Sequence, residues 1–106
     1  MQRSFSFTSP DGLPFCVIRP RPDEQIWNVM LCGIQVAELF PLPRWSPNAV
    51  CVSPWSPDKE GYPVVVDVIV DGPDYDTNVT EALTHFSSVF LDAARQEQKL
   101  MEAANA

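Results

Sequence analysis

Val64-Val65-Val66-Asp67-Val68-Ile69-Val70 leads through Asp71-Gly72-Pro73-Asp74-Tyr75-Asp76 into a long amphipathic run that reaches Met101. The first segment is β-branched everywhere except Asp67, which is what a pleated, buried strand favours. Val64, Val66, Val68 and Val70 share one face; Val65, Asp67, Ile69 and Asp71 make the other only half apolar. Burying the four valines contributes about 6–12 kcal/mol before entropy, at about 1.5–3 kcal/mol each. In the following run Val79, Leu83, Phe86, Phe90 and Ala93 recur at helical spacing, and Ala82, Val89 and Ala94 broaden the stripe into a core-facing band. Asn78, with Glu81 three residues on, predicts the N-cap of this helix. From Val79 to Ala93 a helix covers about 22 Å, and a seven-residue strand about 23 Å. That half of the helix can therefore lie across a sheet, whereas residues 94–106 have no strand left to cover. Leu100 and Met101 continue the stripe, so they pack on a loop or meet another chain.

Upstream, Phe5 and Phe7 alternate with Ser4, Ser6 and Thr8 as in a half-buried strand. Ser9-Pro10-Asp11-Gly12 reads as a turn, and Leu13 to Arg19 as the return strand, with Pro14 at its start. Pro20 and Pro22 favour an extended link. Ile26 to Leu31 is a third strand with Trp27, Val29 and Leu31 on one face; Cys32-Gly33 turns the chain, and Ile34 to Phe40 is the fourth. Short connections predict an antiparallel meander. Prolines at 41, 43, 47, 54, 57 and 63 exclude a helix and any long central strand from residues 41–63, leaving Ala49-Val50-Cys51-Val52 as one short strand. Trp-Ser-Pro occurs twice there, at Trp45 and at Trp55. A loop this long in a small domain is often functional, and tryptophan is enriched at binding hot spots.

Fourteen acids against seven bases give a net charge of −7, which argues against nucleic acid or an anionic membrane as a partner and suits a basic protein. Cys16, Cys32 and Cys51 are dispersed, without zinc spacing, and read as reduced thiols of a cytosolic protein. Met1-Gln2-Arg3-Ser4 does not open a signal peptide. The sequon at Asn78-Val79-Thr80 is therefore read as a helix cap. His85 has Thr84, Ser87 and Ser88 nearby, but Asp92 lies about 10 Å further along the helix, so no Ser-His-Asp set is expected. Asp67 and Asp71 stand about 13 Å apart on one strand face, too far for a glycosidase pair. Counted from Asp71, a calcium loop would need glycine where Asp76 stands and glutamate where Ala82 stands.

The sequence thus predicts an α+β domain spanning 1–106: an antiparallel sheet of about five strands with a long C-terminal helix packed on one face. It predicts no enzyme, cofactor or metal, but a small acidic cytosolic protein that occludes a basic partner, as an inhibitor or immunity-type factor does. The expected contact surface is Trp45 and Trp55 with Asp58 and Glu60. Asp71, Asp74 and Asp76 join it if loop and turn share one end of the sheet. The alternative is a chaperone-like or structural subunit that forms a homodimer through its C-terminal helix.

Overall fold

The computed structural model describes residues 3–55 and 67–104. Six strands, β1 (Ser4–Thr8), β2 (Pro14–Ile18), β3 (Trp27–Leu31), β4 (Ile34–Pro41), β5 (Val50–Pro54) and β6 (Val68–Val70), precede one helix, α1 (Tyr75–Ala104). The strands form a single antiparallel sheet in sequence order, and α1 packs on one face of it, so the fold is α+β.

Register and alternation place the core. Phe5 pairs with Val17 and Phe7 with Phe15, so both phenylalanines face the same way as β2's apolar residues. Phe15 pairs with Leu31 and Val17 with Val29, which carries the face onward. The β3–β4 hairpin closes on Cys32 at φ 51° and Gly33 at φ 81°. Two successive positive φ values match the twist of the flanking strands, which is why two residues suffice for the turn. Further along, Val29 opposes Ala37 whereas Met30 opposes Gln35, leaving Val36 as an extra residue in a β-bulge. Val36 and Ala37 are both buried as a result. The carbonyl of Val36 accepts a hydrogen bond of 3.0 Å from the Trp55 N–H at the end of β5.

The sheet differs from expectation in two respects. It has six described strands rather than about five, with the short strand expected in the proline-rich stretch appearing as β5 between β4 and β6. Its prolines bracket this strand: Pro47 lies before it, and Pro54 is its last residue, opposite Ala37. The valine-rich strand, in turn, lies at the edge of the described sheet. Its described part is only Val68–Val70, and β6 pairs with β5 alone among the described strands. Val68 and Val70 do face the core, half-buried, while Ile69 points away. Val64, Val65 and Val66 lie outside the described residues. The most enclosed strand is β5, where Val50, Cys51 and Val52 are all buried. Val50 and Val52 face α1's side of the sheet, and Cys51 faces the other.

On α1, Ala82, Leu83 and Phe86 are buried, and Val79 and Phe90 are partly so. Phe86 stacks at a tilt against Phe15, 6.0 Å between ring centroids, and against Phe90 at 5.8 Å. The anticipated stripe therefore meets the sheet. Ser87 lies within the same buried face. Its hydroxyl is 2.8 Å from Ser9 Oγ and 3.3 Å from the Asp11 carboxylate, and Ser9 Oγ accepts from the Leu13 N–H. The β1–β2 turn thereby satisfies a polar group that would otherwise be costly to bury. Every described side chain from Ala94 onward is exposed. Those of Leu100 and Met101 lie outside the described set. A 30-residue helix is about 45 Å long, so its second half runs past the sheet.

Two outcomes test this packing. Phe86→Ala should destabilise the protein by about 3–5 kcal/mol in chemical denaturation, the range for removing a buried aromatic ring; a loss below about 1 kcal/mol would mean that this face is not core. The three thiols should also separate. Cys16 and Cys32 are exposed, whereas Cys51 is buried and its thiol is pushed up to about 11, chiefly by burial and then by the Asp67 carboxylate. The raised pKa alone leaves about 100-fold less thiolate at neutral pH than an ordinary cysteine has. A thiol reagent should therefore titrate two equivalents in the native protein and the third only on unfolding. Three rapid equivalents would place Cys51 at the surface.

Candidate functional site

The strand register defines two ends of the sheet. At one end lie the start of β1, the end of β2, the start of β3, the end of β4, the start of β5, the end of β6 and the start of α1. Most of the exposed large apolar side chains gather there: Ile18, Ile26, Trp45 and Tyr75, against Ile34 and Ile69 elsewhere.

The loop that carries Trp45 is built from short turns. The Trp45 N–H donates to the Leu42 carbonyl at 3.0 Å, Ala49 N–H to Ser46 at 3.3 Å, and Leu42 N–H to Ala49 at 2.9 Å. The indole itself is 61% exposed, so it does not fold back onto the sheet. The acidic turn sits beside this loop. Asn48 Nδ2 donates to the Pro73 carbonyl at 2.6 Å, and Asn78 Nδ2 donates to the Asn48 carbonyl at 2.7 Å and to the Gly72 carbonyl at 2.8 Å. Asn78 Oδ1 in return accepts from the Gly72 N–H at 3.1 Å. Asn78 is 1% exposed. Such a buried amide would be expensive if its donors and acceptor were unmet, and here they tie loop, turn and helix into one unit.

Asn78 is consequently not the cap. The helix starts at Tyr75 and Asp74 caps it: Asp74 Oδ2 accepts from the Thr77 N–H at 2.9 Å and from Thr77 Oγ1 at 2.6 Å. The Thr77 hydroxyl first, and its N–H second, hold the Asp74 carboxyl below the usual carboxylate range. Asp71 and Asp76 are exposed on either side. Burial also rules out the sequon at Asn78 as a surface acceptor in the folded chain.

Trp55 is not part of this cluster. It follows Pro54 at the far end of β5, a strand length of about 17 Å away. Asp58 and Glu60 lie outside the described residues. The expected surface thus divides: Trp45, Asp71, Asp74 and Asp76 share one end, and Trp55 is at the other. Between 61 and 94 the chain carries Asp67, Asp71, Asp74, Asp76, Glu81 and Asp92 with no lysine or arginine. Arg3, Arg19 and Arg21 flank β1 and β2 on the opposite side of the sheet, where Arg21 pairs with Glu24 at 3.4 Å. The charge is therefore acidic along β6 and the first half of α1, while Arg95 and Lys99 lie in the second half of α1 and Arg44 stands exposed next to Trp45.

A second feature of the same end was not anticipated. Between the first turns of α1 and the sheet, an open groove of about 330 Å³ is lined by Phe5, Trp27 and Leu39 on the sheet side and by Tyr75, Asp76, Val79 and Thr80 on the helix side. Phe5 and Trp27 form one wall, 5.5 Å between centroids and tilted by 59°. The Tyr75 hydroxyl is held above its ordinary pKa, by burial first and by the Asp76 carboxylate second. In sequence, Trp27 reads only as part of a core face. The signal is topological: Phe5, Trp27 and Tyr75 each open an element, and the meander brings those openings to one end.

Among the described residues, the side chains near the histidine in sequence do not converge on it as a Ser-His-Asp set. His85 is exposed, Ser87 turns into the core, and Asp92 faces Arg95 at 3.9 Å. Among the described residues no three histidine, cysteine, aspartate or glutamate side chains converge on a metal position, and no helix is long and apolar enough to cross a membrane. No protein-family model, curated protein or solved structure matches this chain.

The Asn78 joint can be tested by coupling. A Cβ on Gly72 would come within 2.5 Å of Asn78 Oδ1, and Gly72 is not among the glycines with positive φ, so this contact alone excludes alanine. Gly72→Ala should cost about 1–3 kcal/mol, the penalty for disrupting buried hydrogen bonds. In an Asn78→Ala background the same substitution should cost close to nothing. Equal costs in both backgrounds would show that the two residues do not touch.

Proposed function

We propose that this protein is a non-enzymatic, cytoplasmic binding protein that occludes a basic partner protein, in the manner of an inhibitor or immunity-type factor. The observation that carries this reading is the exposed indole of Trp45, held beside Asp71, Asp74 and Asp76 by the Asn48 and Asn78 hydrogen bonds. An aromatic anchor supplies affinity through burial, and the surrounding carboxylates steer an oppositely charged partner toward it. A fixed loop also loses little conformational entropy on binding. The charge distribution supports the same assignment, since residues 61–94 carry six carboxylates and no lysine or arginine, against the single exposed Arg44 adjacent to Trp45.

A second reading, self-association through α1, is favoured by the exposed second half of that helix. Sedimentation velocity separates the two, because only self-association requires a stable homodimer.

The docking reading is tested by affinity capture from the native host, followed by binding kinetics on the captured protein. Trp45→Ala should raise the dissociation rate roughly tenfold or more, as loss of a hot-spot aromatic does. Asp71→Asn with Asp76→Asn should mainly slow association, and the loss should shrink as salt rises. An acidic captured protein, or unchanged kinetics in both folded variants, would overturn the assignment.

A further inference from the structure

We infer that the groove between α1 and the sheet is a receptor for an arginine side chain of the basic partner; this deepens the docking reading and rests on it. The groove supplies what a guanidinium with an alkyl stem needs. Leu39 on the sheet side and Val79 on the helix side offer apolar contact for the methylenes, and the rings of Phe5, Trp27 and Tyr75 line the groove beside them. A guanidinium is planar and weakly hydrated, so it stacks on aromatic rings at less desolvation cost than an ammonium. Asp76 stands at the helix side of the groove, and no cation pairs with its carboxylate among the described residues. That carboxylate can accept two parallel N–H bonds from one guanidinium. At about 330 Å³ the groove sits near the lower limit of small-ligand pockets, roughly 300–1,000 Å³, which suits one side chain.

Charge selects this occupant over a neutral one. A guanidinium in this space can form a charge-assisted pair with the Asp76 carboxylate, which a purely apolar side chain cannot. The groove also lies at the same end of the sheet as Trp45 and the acidic turn, so one partner surface can reach both. Asp76 belongs to both features, as the second residue of α1.

The test uses a fragment and does not need the partner. Butylguanidinium is titrated into the intact protein, with the Trp27 indole N–H and the Tyr75 and Val79 amides followed by NMR; Trp27→Phe assigns the indole signal. Butylurea, which is nearly isosteric but uncharged, serves as the control. The expected result is a saturable shift at these three positions for butylguanidinium, binding at least tenfold weaker for butylurea, and loss of that discrimination in Asp76→Asn. Asp76 is exposed, so its variant should fold, and the comparison of the two fragments stands without any variant. Absence of a saturable shift, or equal binding of the neutral fragment, overturns the arginine assignment even if Trp45→Ala weakens partner capture. If partner binding is indifferent to Trp45 and the acidic turn while butylguanidinium still binds the groove, the docking reading fails.

Discussion

The side-chain amide of Asn78 is the joint on which this end of the protein depends. It is buried in the second turn of α1, yet it donates to carbonyls of two other segments and accepts from a third group. Backbone polar groups in a turn must find partners when water is excluded. Here one amide serves the Gly72 N–H, the Gly72 carbonyl and the Asn48 carbonyl together. The chain cannot keep the helix start, the acidic turn and the Trp45 loop in place independently. Gly72 is the matching constraint, since only a residue without Cβ leaves room for the amide.

From that joint the functional end follows. The turn delivers Asp74 to cap α1 and leaves Asp71 and Asp76 in solvent, while the loop presents Trp45. Away from the joint the helix closes on the sheet through Phe86 against Phe15 and Ser87 against Ser9. Near the joint, the groove lies between the first turns of the helix and Phe5, Trp27 and Leu39 of the sheet.

Much of the fold was legible in the sequence, because it rests on period and turn chemistry. Alternating Phe and Ser gave β1; Cys32-Gly33 marked a tight hairpin; Leu83 and Phe86 marked the buried side of α1. The failures are equally local. Asp74 and Asn78 both satisfy the rule for an N-cap, and only tertiary partners decide that Asn78 goes inward. The prolines around β5 left room for one short strand at Ala49 to Val52, and the observed strand, Val50–Pro54, runs two residues further. The bulge at Val36 is hidden because both residues involved are apolar. The candidate site was half legible for the same reason. Trp45 and the acidic turn were named, but placing Trp55 apart from them required knowing that β5 lies between. Trp27 and Phe5 do pack against the core as the sequence suggested, and only the meander shows that they also share a groove with Tyr75.

The central claim is that loop, acidic turn and helix start form one rigid surface through Asn78. Native-state hydrogen exchange of the Gly72 amide tests it most directly, since that N–H has the Asn78 side chain as its acceptor. Protection of Gly72 should approach that of the β4–β5 amides, and Asn78→Ala should abolish it while leaving β1 to β3 protected. A Gly72 amide that exchanges at the rate of an unstructured peptide in the wild-type protein would contradict the account.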